Sequence, residues 1–119
     1  PGAFKPRVAG REAEEAIAEG FLRHAATLAS IHRDGGPLLA LAIEPEPACL
    51  LETIAETVTF FEERLLGPPA RARFVELAGV PPLAAERLLR RHLGVCLDAC
   101  HAAVEFESPS EAVAACEAA

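Results

Sequence analysis

Apolar residues recur at three- and four-residue spacing from about Gly10 to Arg33, with Ala13, Ile17, Phe21, Ala25, Leu28 and Ile31 on one helical face. Glu12, Glu14 and Glu15 crowd the first turn, where acids complement the helix dipole, and Asp34-Gly35-Gly36 closes the pattern. Residues 1–10 before it are loop. The period then changes: Leu38–Ile43 is an apolar run ending in Glu44 and flanked by Pro37, Pro45 and Pro47, which reads as a strand. A second helical stripe, Leu50, Ile54, Val58, Phe61 and Leu65, predicts a helix from about Ala48 to Leu66. Pro47 sits near its start and Gly67-Pro68-Pro69 at its stop. Residues 70–91 are less regular, with short helices expected at Arg71–Leu77 and Leu83–Arg91 on either side of Gly79-Val80-Pro81-Pro82.

The chain is organised around His92–His101. It opens as an apolar run long enough for one buried strand, about 93–98, and ends abruptly in Asp98, Cys100 and His101. Beyond it, Ser108-Pro109-Ser110-Glu111 matches a capping box with proline at the first helical position, so a last helix follows from Ala112. Helix, strand, helix, short helices, strand, helix is the order of an α/β fold with a right-handed crossover and parallel pairing. Two strands alone cannot close a barrel, so the remaining strands are expected before residue 1 and beyond residue 119.

Alternation along the strands sharpens the picture. Glu44 shares a face with Ala42 and Ala40, opposite Leu39, Leu41 and Ile43; Asp98 shares one with Cys96 and Gly94, opposite Leu93, Val95 and Leu97. Small residues on the acid's face and bulky aliphatics on the other suit a barrel strand, whose inner face leaves room for a site and whose outer face carries helices.

Composition narrows the classes. The chain of 119 residues is 51% hydrophobic, rich in alanine, and carries a net charge of −7. That balance suits a cytoplasmic protein and opposes a phosphate-backbone partner, so no nucleic acid is expected. No apolar run reaches the roughly 18 residues of a membrane span. The four cysteines, Cys49, Cys96, Cys100 and Cys116, lie in apolar surroundings and so do not read as a disulfide framework, and the Cys96-to-Cys100 spacing is not that of a zinc knuckle or thioredoxin-type motif. His24 and His32 read as helix-surface residues. Arg71, Arg73, Arg87, Arg90 and Arg91 form a local basic cluster, expected to be a solvated face balanced by acids. Methionine is absent, the opening Pro1-Gly2-Ala3-Phe4-Lys5-Pro6 is loop chemistry and the close at Ala119 falls mid-helix; the chain reads as an internal piece of a longer protein.

A strand ending in Glu44 followed by one ending Leu97-Asp98-Ala99-Cys100-His101 resembles the xylose-isomerase-like TIM barrels, a superfamily of sugar-phosphate isomerases, epimerases and an endonuclease. More closely, Leu41-Ala42-Ile43-Glu44-Pro45-Glu46-Pro47 with Cys49 and Leu51-Glu52-Thr53, Phe60-Phe61, and His92–His101 with Ala103–Glu107 resemble the EboE family of metabolite traffic proteins. The two motif blocks cover about a third of the chain. By this resemblance residues 1–119 hold helix 4, strand 5, helix 5, strand 6 and part of helix 6 of a TIM (β/α)8 barrel. It implies a divalent metal, Zn, Mn or Mg, at the barrel mouth, with Glu44, Asp98 and His101 as ligands. Glu46 is the candidate substrate-binding residue. The implied role is handling or export of a secondary metabolite, with a small-molecule or sugar-like substrate. The alternatives are a sugar-phosphate isomerase or epimerase, and a non-catalytic barrel that serves as an interaction partner. Apolar faces without neighbours in the chain lead to a further expectation, self-association.

Overall fold

A computed structural model describes residues 2–8 and 10–118. Helix α1, Gly10–Arg33, runs over the expected span, but its buried face is rotated from the expected stripe. Ala18, Leu22, Ala25, Ala26 and Ala29 are buried, whereas Ile31 is exposed. The alanines decide this: side chains this small let the later helices Pro68–Ala78 and Ala85–His92 approach α1 closely enough to exclude water.

The segment expected to begin a helix at Ala48 is a turn. Ala48 is left-handed, with φ 63°, and Cys49 N–H donates to Glu46 O at 3.0 Å. The amino-terminal segment claims the neighbouring backbone groups, through Leu50 N–H to Ala3 O and Lys5 N–H to Ala48 O, both 2.9 Å. Helix α2, Ile54–Phe60, starts six residues later, at a capping box. Thr53 accepts from Glu56 N–H while the Glu56 carboxylate accepts from Thr53 N–H, satisfying two donors that a helix end otherwise leaves unpaired. The helix continues as a single π turn over Phe61–Leu65, closed by Leu66 N–H to Phe61 O at 2.8 Å.

Gly67-Pro68-Pro69, read as a stop, is also a start. Helix α3, Pro68–Ala78, opens with proline where an amide would have no intrahelical partner, and ends on left-handed Gly79, φ 63°. After a short 3-10 turn at Pro82–Ala84 comes α4, Ala85–His92. His92, expected to open the strand run, is the last residue of this helix and is wholly buried. Its Nδ1 lies 2.7 Å from Leu39 O, which fixes the approach to the first strand, and its ring meets that of His32 edge-on at 6.4 Å. Among the described residues His92 Nε2 has no hydrogen-bond partner.

Strands β1, Leu41–Ile43, and β2, Leu93–Val95, pair in parallel, with Leu41 opposite Leu93, Ala42 opposite Gly94 and Ile43 opposite Val95. Both are shorter than the runs 38–43 and 93–98 that predicted them, and Leu38 and Leu39 remain exposed before β1. Side-chain alternation is as expected: Ile43 and Leu93 are buried against the helices, and Ala42 lies on the exposed face with Gly94 beside it. Two short helices complete the chain, α5 at Ala99–Val104, unforeseen in the sequence pattern, and α6 at Pro109–Ala118. The fold is therefore α/β, helix-rich, with two parallel strands. Among the described residues no helix is long and apolar enough to cross a membrane.

Candidate functional site

At the carboxyl end of the sheet the chain leaves both strands through polar residues. Glu44 follows β1 directly, and Asp98 comes three residues after Val95. Asp98 is extended, φ −85° and ψ 116°, and caps α5: its Oδ1 accepts from Cys100 N–H at 2.6 Å and from His101 N–H at 3.1 Å. An acceptor at the cap satisfies amides that the first turn cannot. The same hydrogen bonds turn the backbone back over the strand ends, which carries His101 above Glu44. His101 Nδ1 lies 3.3 Å from Glu44 Oε1 and 3.2 Å from Pro45 O.

Glu44, Asp98 and His101 each offer a ligand atom, and those atoms all lie within 4.8 Å of one another. All three side chains are partly buried. The backbone amides of His101 and, next, Cys100 hold the Asp98 carboxyl below its ordinary range, because they stabilise the charged form. With Nδ1 assigned as the donor to Pro45 O, Nε2 of His101 keeps its lone pair, and Asp98 keeps Oδ2 outside its capping hydrogen bonds. Two carboxylates and an imidazole at this spacing suit a hard or borderline divalent cation.

Pro45, Ile54, Leu97 and Ala102 line a small cleft beside this group, together with Glu107. Glu107 Oε1 accepts from Ile54 N–H at 2.9 Å, and so pins the α5–α6 connection to the start of α2. The roles of Pro45 O and Glu107 had no signal in the chain, since each acts on a residue more than fifty positions away. Glu46 is exposed and stands outside the three-residue group; its Oε2 lies 3.6 Å from the Cys49 thiol instead.

All four cysteines are free. Cys49 is buried, but Cys96 and Cys100 are exposed, contrary to the apolar surroundings expected of them. β2 stops at Val95, so both lie where the chain has left the sheet. Three arginines of the cluster meet acids: Arg71 reaches Glu86 at 2.6 Å, Arg73 reaches Glu19 and Glu76 at 2.8 Å each, and Arg90 reaches Glu86 at 3.1 Å, while Arg87 and Arg91 are exposed. His24 and His32 are exposed on α1. Compared with protein-family models, curated proteins and solved structures, the chain matches none.

Proposed function

We propose that the chain is a segment of a xylose-isomerase-like barrel of the EboE type, which binds a divalent cation at Glu44, Asp98 and His101 and acts on a sugar-like metabolite. The convergence of two carboxylates and one imidazole within 4.8 Å at the carboxyl ends of parallel strands carries this reading. Ligand sites of α/β proteins gather at those ends, where strand-end side chains point out of the sheet into solvent. Small residues at Ala42 and Gly94 on the exposed face favour the barrel, since an inward face must leave room.

In this reading a ring nitrogen of His101 and the carboxylates of Glu44 and Asp98 would hold the cation. Pro45 O, 3.2 Å from His101 Nδ1, would help to orient the ring. A cation so held would polarise a carbonyl or hydroxyl oxygen of the substrate. The chain's own part is to fix three donors and leave the remaining coordination positions open.

Titration of the whole chain with Mn²⁺, followed by paramagnetic broadening of the Glu44, Asp98 and His101 resonances, tests the reading. Selective broadening of those three, lost in Asp98→Ala, is expected. Broadening spread over the surface acids, or unchanged in the variant, refutes it. The sugar-phosphate alternative loses ground to the arginine pairings, because Arg71, Arg73 and Arg90 already face glutamates.

A further inference from the structure

Helix α5 ends in a backbone conformation that glycine ordinarily supplies. Phe106 N–H donates to Ala103 O at 3.2 Å and Glu107 N–H to Ala102 O at 2.9 Å, which closes the helix with Phe106 left-handed, φ 58°. A Cβ is unfavourable there, and a bulky side chain more so. Burial does not offset that cost, since Phe106 is 96% exposed. An exposed phenylalanine is ordinary by itself. One held in a strained backbone without any packing gain points to a contact outside the core.

Its position narrows the contact. Phe106 follows His101 by five residues, on the order of 8 Å at helical rise. It precedes Glu107, which lines the cleft beside Asp98 and His101. Ile54 and Glu107, joined by their hydrogen bond, line both that cleft and a second one of about 240 Å³. Phe106, Ala55, Ala112 and Ala115 share the apolar lining of the second cleft with Ile54. It lies where α2 packs on α6 and includes no residue of either strand, so strands added at the sheet edges leave it open.

We infer that Phe106 is a substrate-positioning residue, whose ring holds an apolar substituent of the metabolite in the second cleft while the polar part reaches the cation. The inference rests on the cation reading and narrows its substrate to a sugar-like compound bearing a ring-sized apolar group. Ligand sites commonly combine an apolar wall with a few convergent polar groups, and an aromatic ring offers large contact area at little entropic cost. Glu107 and Glu111 beside the ring disfavour an anionic substituent such as a phosphate.

Titration of the whole chain with phenyl β-D-glucoside and with D-glucose tests it, in Mg²⁺ and followed by the Phe106 ring and the Ala112 and Ala115 methyl resonances. The glucoside is expected to shift those signals and to bind at least tenfold more tightly than glucose. Phe106→Asn and Phe106→Gly remove the ring and tolerate the left-handed backbone. Each should bind the glucoside at least fivefold more weakly than the parent, at a urea midpoint no lower, with glucose and Mg²⁺ affinities within twofold. Phe106→Tyr should restore glucoside binding. Unmoved cleft signals, or Asn and Gly variants that bind the glucoside as the parent does, overturn the inference. So do Phe106 signals that shift with protein concentration alone, the result expected if a second copy covered the ring. Should the variants lose their circular dichroism, the Phe106 resonances of the parent decide. Mg²⁺ titrated alone and followed at His101 reads the cation site separately. A cation bound there with an empty cleft refutes the subsite and leaves the cation reading standing. A filled cleft with no cation at His101 overturns the cation reading and the link between the two.

Discussion

Asp98 caps the helix that carries His101, its Oδ1 accepting from the His101 amide at 3.1 Å. One carboxylate thus sets the direction in which the chain leaves β2 and the position of the imidazole over Glu44. Its two functions separate by substitution. Asp98→Asn retains a side-chain oxygen that can cap, whereas Asp98→Ala retains none. Asn should keep the helical circular dichroism and the melting temperature near those of the parent and weaken Mn²⁺ binding at least tenfold. Ala should lose both. Equal Mn²⁺ affinity in the parent and Asn variant would separate Asp98 from the cation.

Acid sensitivity follows from the same hydrogen bonds. The amides of His101 and Cys100 lower the Asp98 pKa in the folded state. A lowered folded value means a contribution fully present above the unfolded pKa, about 4, and lost as pH falls through the folded one. Glu19, lowered chiefly by its hydrogen bond from Arg73, adds in the same direction. Urea midpoints measured from pH 7 to pH 2 should fall below about pH 4. The fall should be smaller for Asp98→Asn, which has no carboxylate to protonate; an identical fall would remove Asp98 from the cause.

The capping box at Thr53 and Glu56 sets the start of α2. Thr53→Ala should cost about 0.5–2 kcal/mol, and Thr53→Ser should restore most of it. Chemical denaturation of the three proteins measures both; an Ala variant as stable as the parent would mean that the Glu56 and Glu107 carboxylates hold the backbone amides of this end without help from the Thr53 hydroxyl.

Phe74 is wholly buried among α1, α3 and α4 residues. Phe74→Ala should destabilise by about 3–5 kcal/mol, from lost burial and the cavity left behind. Phe74→Leu should cost less, because it leaves the smaller void. A loss under about 1 kcal/mol for the alanine variant, read from urea denaturation, would show that the helices collapse into the space.

What the sequence alone determined is the alternation of helices and strands and the inward set of each strand. Those follow from local period: 3.6 residues for α1, two for Leu41–Ile43 and Leu93–Val95, and a parallel crossover once helices separate the strands. The start of α2 was written in Thr53 and Glu56, although the apolar stripe through Leu50 pointed earlier. Tertiary structure decided the rest. Only packing makes Ala18 and Ala29 core while Ile31 stays in water, because a helix buries whatever face lets its neighbours come closest. Only the amino-terminal segment, bonded to Ala48 and Leu50, prevents a helix there. The meeting of Glu44 with His101 had no expression in spacing, since they lie 57 positions apart and Pro45 O fixes the ring between them. Local period specifies which way a side chain faces, but which distant residue it meets depends on strand register and on a single helix cap.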